Sequence, residues 1–309
     1  MTKIMKRTIV SLFLAFVAIA TMSAQQTVVQ NKELDAFSTV TIGEKFSFRL
    51  KSAPTYSVRI ISDERIAEFV RPVVKNGNFT ITLDEKKYPA ELKKALKAKG
   101  AIEPFLEVEI YAPTVKALEL KEKAVMLDAD DIKVDAFELR ASGSSKINRL
   151  KVECVNANLS FGGNNQSSID SSVDTKLNIL AENSSTSSIT QRGGNSIVES
   201  RGSSVLNLNV MVVDVDLETH GGSSIYLSGH ASMLDVEAEG GSTIDAEALE
   251  VKEGNFLQSG SSKCHVNVEE RIKVNLTGGC MLTFKRKPMI EVERIVNSTL
   301  IKADDPKRK

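Results

Sequence analysis

Aromatic residues are scarce in this sequence. Its 309 residues include no tryptophan and four tyrosines, and aromatic residues make up 5% of the total. Exposed aromatic rings offer the large flat contact areas on which sugars stack, so we rank sugar binding below contact with a protein or a matrix. Tyr226 is the candidate ring in the repeated part of the chain.

Cysteine is equally scarce. The chain has three, Cys154, Cys264 and Cys280, an odd number without the clustered spacing of a disulfide framework. We interpret them as small buried hydrophobic residues. A bond between Cys264 and Cys280, which lie about one repeat apart, is the alternative.

Catalytic motifs are missing from the sequence. The three histidines, His220, His230 and His265, fit no metal-ligand spacing, and no serine lies in a Gly-x-Ser-x-Gly elbow with a plausible partner. No helix is predicted after the Gly-Gly-Ser segments, so they lack the helix N-terminus that binds phosphate. We therefore predict no enzyme activity and no catalytic residue.

A single apolar run could interact with a membrane. Residues 8–22 are apolar, follow Lys3, Lys6 and Arg7, and precede Ser23 and Ala24. This pattern predicts a secretory signal over residues 1–24, since the run is short for a membrane span. We expect an exported protein, periplasmic, at the cell surface or secreted, with no membrane span. A buried N-terminal helix is the alternative.

Neither sign of charge dominates. The chain has 40 basic and 40 acidic residues. Loss of residues 1–24 would remove three basic and no acidic residues, leaving 37 against 40 and a net charge near −3. Nucleic acid is therefore not expected as a partner.

The chain does contain a repeat, from about residue 137 to residue 284. Units such as residues 215–227 and 234–246 have alternating apolar or small residues, a Gly-Gly or Gly-Ser corner, and a second alternating run. A period near 20 residues indicates a solenoid. The corner residues recur every 18 to 20 positions, at Gly143, Gly163, Asn183, Gly202, Gly221, Gly240, Gly260 and Gly278.

The alternation predicts which side chains point inward. In two of the units we expect inward positions for Val215, Leu217, Thr219, Ile225, Leu227, Val236 and Ile244, and outward positions for Asp216, Glu218, His220 and Tyr226. We predict an all-β fold, a parallel β-solenoid with coils of about 19 residues over residues 113–302. A β-sandwich is the alternative.

The ends of the chain differ from the repeat. Residues 25–112 contain several short alternating segments and predict a strand-rich region that caps the solenoid. A tight turn is predicted at Asn76-Gly77 and one inserted helix over residues 89–99, between Pro89 and Gly100. Residues 303–309 are charged and predict a frayed tail.

One outward column is acidic. Glu199, Glu218 and Glu237 are 19 residues apart, so stacked coils would hold their carboxylates roughly 5 Å apart. Such repulsion raises carboxyl pKa values or recruits a cation, and we hypothesise a weak calcium site with no other cofactor. Neutralisation by the flanking Arg201 and His220 is the alternative. We also expect Asp216, His220, Tyr226 and Asp235 to face a ligand.

The order of these features resembles that of the head GIN domain proteins, secreted proteins of Bacteroidetes often labelled auto-transporter adhesins. The resemblance rests on the signal, the strands at 37–42 and 56–60, the segments at 76–81 and 108–113, the Gly-Ser-Ser and Gly-Gly-Ser repeats, and Lys287-Pro288. It covers nearly all of the mature chain and implies a β-solenoid outside the cytoplasm, with the helix at 89–99 as an insertion.

We therefore expect a non-catalytic, adhesin-like binding or structural module that presents columns of polar side chains to an extracellular protein or glycan. The alternative is a carbohydrate-active enzyme or a glycan-binding protein on the same scaffold.

Overall fold

The computed structural model describes residues 26–303. The predicted signal and all of the predicted tail except Ala303 lie outside this range. The described chain forms a parallel β-solenoid of about ten coils of about 19 residues, with one α-helix. The predicted fold class is therefore confirmed.

Nine strands and the helix make up the N-terminal part. They are β1 (Thr27–Glu33), β2 (Thr39–Ile42), β3 (Ser47–Ser52), β4 (Ser57–Asp63), β5 (Val70–Lys75), β6 (Asn78–Leu83), α1 (Ala90–Lys97), β7 (Leu106–Ala112), β8 (Ala117–Leu120) and β9 (Val125–Ala129). Two short 3-10 helices, Ala67–Phe69 and Glu85–Lys87, lie between these strands.

The remaining strands build the regular repeats. They are β10 (Ile132–Ala141), β11 (Lys146–Phe161), β12 (Gln166–Ala181), β13 (Thr186–Arg192), β14 (Asn195–Gly202), β15 (Val205–Met211), β16 (Asp214–Gly221), β17 (Ser224–Gly240), β18 (Thr243–Gln258), β19 (Lys263–Thr277), β20 (Met281–Lys285), β21 (Met289–Val296) and β22 (Thr299–Lys302). Each of the longest strands contributes to two successive coils. Its first half lies in one stack of parallel strands and its second half lies in another.

Each coil has two strand runs joined by the glycine corner. β16 lies in the first stack, between β14 and the second half of β17, and all three are parallel. β15 lies in the second stack, between β13 and the first half of β17. Every residue predicted to point inward in these units is buried, and Tyr226 is exposed. The predicted register is therefore confirmed.

The corners stack directly on one another. All eight predicted corner residues have positive φ, from 61° at Asn183 to 98° at Gly221. From Gly163 to Gly260, the residue after each corner donates its N–H to the carbonyl oxygen of the corner one coil earlier, for example from Gly222 to Gly202 at 2.8 Å. The backbone of one corner thus supports the next.

A column of small polar residues lines the inside of these corners. It lies two residues after the first seven corner positions, and its members are buried: Ser145, Asn165, Ser185, Ser204, Ser223, Ser242 and Ser262. Some hydroxyls bond to the neighbouring coil, as Ser242 does to the carbonyl oxygen of Gly221 at 3.2 Å. Short hydroxyl side chains suit a tight corner because they can bond to nearby backbone groups.

The N-terminal coils do not stack in chain order. β2 lies between β6 and β8, and β3 lies between β7 and β9, all in parallel. The coil formed by β2 and β3 is therefore stacked between the coil of β6 and β7 and the coil of β8 and β9. Antiparallel strands β5, β4 and β1 extend the two stacks at this end. The division of cap from solenoid at residue 112 stays a prediction, since the two parts share one continuous sheet.

The local predictions in this region are confirmed. Asn76 and Gly77, with φ of 52° and 72°, form the turn between the antiparallel strands β5 and β6. α1 follows Pro89, which occupies its N-cap position. Within residues 26–303, no helix is long and apolar enough to cross a membrane.

The three cysteines are buried free thiols. Cys264 lies in register with Leu282 of the next coil rather than with Cys280. Burial raises the pKa of the Cys154 thiol to about 11. The three residues therefore pack as small apolar side chains, the first of the two interpretations.

Candidate functional site

The predicted acidic column is present in the first stack. Glu199 lies in register with Glu218, and Glu218 with Glu237, across β14, β16 and β17. Asp216 and Asp235 are paired in the same way two residues earlier. We call these five residues the acidic face.

Basic side chains pair with the acidic face. Arg201 contacts Glu199 and also lies 3.6 Å from Glu182. His220 has Nε2 at 2.7 Å from Glu218 and Nδ1 at 3.2 Å from Glu239, so a protonated ring donates to both carboxylates. These contacts correspond to the alternative named above, in which Arg201 and His220 neutralise the charge of the acidic column.

The pKa values reflect this arrangement. The hydrogen bond to Glu218 raises the pKa of His220 above its usual value, and the carboxylate of Glu239 adds to the effect. Burial raises the pKa of Asp216, and the charges of Asp235 and Glu218 raise it further. The acidic face therefore favours a positive charge.

Three side chains of this face could hold a cation. One ligand atom each from Glu199, Glu218 and His220 lie within 4.8 Å of one another. Glu237 continues the column one coil further on but is not part of this group. Two carboxylates and an imidazole provide mixed oxygen and nitrogen ligands, whereas calcium prefers oxygen alone. Glu199 and Glu218 are thus the ligands available to calcium.

Tyr226 lies on the second stack, apart from the acidic face. It borders a groove of about 550 Å³ that also contains Arg149 at one end. Two outward columns form this polar groove, Ser168, Ser188, Asn207, Tyr226 and Asp245 in one, and Asp170, Thr190, Asn209, Ser228 and Ala248 in the other. Five coils spaced by roughly 4.8 Å make it about 19 Å long.

The polar groove is lined mainly by hydroxyl and amide side chains. Its two carboxylates have partners in the chain, since Arg192 pairs with Asp170 and the backbone N–H of Glu247 donates to Asp245. These carboxylates lie four coils apart, about 19 Å at the strand spacing. The groove can thus offer many hydrogen bonds to an elongated polar ligand.

Tyr226 was predicted from the sequence to face a ligand, but the rest of the groove was not predicted. The structure separates Tyr226 from Asp216, His220 and Asp235, which lie together on the first stack. A signal for the groove was present in the sequence, because outward serine, threonine and asparagine residues recur at the repeat period in four successive coils. Because these side chains are short, the surface beside the larger ring of Tyr226 forms a depression.

Comparisons with known proteins agree with this architecture. A family model described as "Putative auto-transporter adhesin, head GIN domain" matches residues 36–197 and again residues 175–288. No curated protein sequence gives a significant match.

Three solved structures similar to this chain come from two Parabacteroides species. A putative adhesin from Parabacteroides distasonis has a TM-score of 0.52 at 13% identity, covering 90% of this chain and 97% of that one. A putative adhesin from Parabacteroides merdae has a TM-score of 0.44 at 14% identity, with the same coverage. A putative lipid binding protein from Parabacteroides distasonis has a TM-score of 0.43 at 13% identity, again with that coverage. At such low identity, the first of these similarities concerns the fold alone.

Proposed function

Since the chain belongs to the head GIN domain family of auto-transporter adhesin type, we propose that it is an exported, adhesin-like module that binds a partner outside the cytoplasm. The polar groove supports this proposal most directly. It is a depression of about 550 Å³ on a rigid stack of strands, and binding sites on such scaffolds are typically concave and largely pre-formed.

The spacing of carboxylates supports a binding role over a hydrolytic one. Glycoside hydrolases usually act with two carboxyl groups about 5 to 9.5 Å apart. Asp170 and Asp245 are separated by four coils, or about 19 Å. The groove therefore lacks a pair at catalytic distance, and we propose that its occupant is held rather than cleaved.

A glycan is the second candidate for this partner, because of Tyr226. Tyr226 is 45% exposed and lies beside Asn207 of the neighbouring coil. A sugar stacked on the ring could form hydrogen bonds with the adjacent amide and hydroxyl groups. An elongated polar chain would fit the groove better than an apolar protein surface would.

We predict that Tyr226→Ala weakens binding of the partner at least about tenfold, because the ring is the largest side chain in the groove. The purified protein would be applied to arrays of bacterial and host glycans and of extracellular matrix proteins. Dissociation constants would then be measured for the best ligand with the native protein and the variant.

Leu257→Ala is the matched control. Leu257 is also 45% exposed, but it continues the column of Glu237 on the first stack. We expect this variant to bind like the native protein. Equal weakening by both variants would exclude the groove as the binding surface, and an absence of any ligand on either array would argue against the adhesin-like role.

We further propose that the acidic face binds calcium weakly through Glu218. Millimolar calcium should raise the melting temperature by about 2–4 °C at pH 8 and by less at pH 6. The reason is that the raised pKa of His220 gives a stabilising charge that is complete below about pH 6.5 and lost as pH rises through the folded-state value. At pH 6 the ring is protonated and competes with the cation for Glu218, so calcium raises the melting temperature by less.

Glu218→Gln should abolish this calcium response. Glu138→Gln provides the control, since the two side chains are 48% and 46% exposed and each has a basic partner. A melting temperature that is indifferent to calcium at both pH values, with a neutral or stabilising Glu218→Gln, would leave only a solvated acidic face.

A further inference from the structure

The two ends of the solenoid are closed differently. At the N-terminal end, antiparallel strands extend both stacks, and large side chains such as Phe37, Phe69 and Tyr88 are buried there. At the other end, β21 pairs with β19 and β22 with β20, and no further strand among residues 26–303 covers their outer edges. The last coil therefore presents unpaired backbone groups.

This open end is apolar. Ile290 and Ile295 lie in register with Ile272 and Leu276 of the preceding coil, which are fully buried. They occupy core positions, yet 39% and 38% of their surface is exposed. An exposed apolar strand edge is a template for pairing with another chain, and natural proteins usually block it.

The chain segment that follows is poorly suited to cover this end. Residues 304–309 are Asp-Asp-Pro-Lys-Arg-Lys, with proline as their only apolar residue. They come directly after Ala303, whose N–H donates to Phe284. Apart from Pro306, these six residues have no apolar side chain to bury against the exposed isoleucines.

The sequence of β21 complements itself in an antiparallel pair. If Met289 of one copy lies opposite Val296 of a second, then Ile290 faces Ile295 and Glu291 faces Arg294, each twice. Cross-strand pairs of apolar residues and of opposite charges stabilise a sheet. A two-fold axis between Val292 and Glu293 generates all of these contacts, and it also places Val292 of each copy opposite Glu293 of the other.

A β-bulge makes this register possible. Val292 pairs with Val274, but Arg294 pairs with the next residue, Asn275, so Glu293 is an extra residue. In a regular strand, positions 290 and 295 would face opposite sides of the sheet. The bulge turns both isoleucines toward the core and both Glu291 and Arg294 outward, so like sides meet across the two-fold axis.

We propose that two copies of this chain associate end to end through β21, in an antiparallel pair with Glu291 of each copy opposite Arg294 of the other. The contact is isologous, so it closes at a dimer rather than extending into a fibre. It would join two solenoids into one rod with both caps outermost. If the groove binds as proposed above, the dimer also carries two grooves, which raises avidity.

The test measures the mass of the purified protein by sedimentation equilibrium over a range of micromolar concentrations. We expect a dimer for the native protein, and Arg294→Glu should raise its dissociation constant about 10- to 100-fold, since two attractive pairs become repulsive. The double variant Glu291→Arg/Arg294→Glu should restore the dimer, because the exchanged charges face each other again. Arg140→Glu, a charge reversal far from the edge, should have no effect.

An apolar variant provides a second measurement. Ile290→Lys should give a monomer, whereas Val73→Lys, on the edge strand β5 at the opposite end and 49% exposed, should remain dimeric. A native protein that is monomeric throughout would overturn the proposal, whatever else covers the edge. A dimer that Val73→Lys disrupts, or that the double variant fails to restore, would overturn the proposed contact. None of these outcomes depends on the groove.

Discussion

Leu217→Ala is expected to lower the free energy of unfolding by about 2–4 kcal/mol, because it removes a buried apolar side chain and leaves a cavity. Leu217 is fully buried and stacks between Val198 and Val236 of the adjacent coils. A coil contacts only its neighbours, so the lost packing weakens two interfaces at once. Denaturant titration followed by circular dichroism measures the change.

Asp216→Ala is the control for this prediction. Asp216 precedes Leu217 in the same strand, but its side chain points outward. Surface substitutions usually change stability by less than about 1 kcal/mol. In this case the loss of a carboxylate whose pKa is raised by burial and by neighbouring negative charges could even stabilise the fold. Similar losses for both variants would contradict the register of the solenoid.

The regular coils could be predicted because their determinants are local. A left-handed corner favours glycine or asparagine within that corner, and all eight positions selected on this basis have positive φ. Alternation likewise assigns each side chain to the inside or the outside without reference to other coils. The core of the middle coils, including Leu217 and Ile225, was therefore correctly predicted.

The N-terminal order could not be predicted in this way. Alternation in β2 and β6 shows that each has a buried side, but not which strand lies beside it. The structure places β2 between β6 and β8, although residues 43–77 separate β2 from β6 in the chain. Such pairing depends on which exposed edges fit together in the folded molecule.

The candidate sites were predictable as columns but not as contacts. The repeat places Glu199, Glu218 and Glu237 in line, and the structure confirms that register. Whether Arg201 and His220 turn toward the carboxylates depends on side-chain rotamers, which the repeat does not determine. The sequence shows the unequal spacing of Ile290, Val292 and Ile295, but only the strand pairing identifies it as a bulge.

Gly163→Ala is expected to destabilise the protein by about 2–5 kcal/mol, for two reasons that can be separated. An alanine in the left-handed region costs roughly 1–2 kcal/mol, and Gly163 has φ of 71°. In addition, its new Cβ would lie 2.5 Å from the carbonyl oxygen of Gly143, which cannot move without disturbing the corner below. Overpacking of this kind costs about 1–3 kcal/mol more.

Gly77→Ala isolates the first of these two costs. Gly77 has nearly the same φ, 72°, but a Cβ there would meet nothing within 4 Å. We expect this variant to lose only the roughly 1–2 kcal/mol of backbone strain. The corner at Asn183, which carries a Cβ, indicates how the stack adjusts to a side chain. The distance from the Ser184 nitrogen to the Gly163 carbonyl oxygen is 3.1 Å there, whereas the distance from the Asn164 nitrogen to the Gly143 carbonyl oxygen is 2.7 Å at a corner with glycine. Equal losses for Gly163→Ala and Gly77→Ala in denaturant titrations would mean that the coils separate easily, and the close stacking of corners would then contribute little to stability.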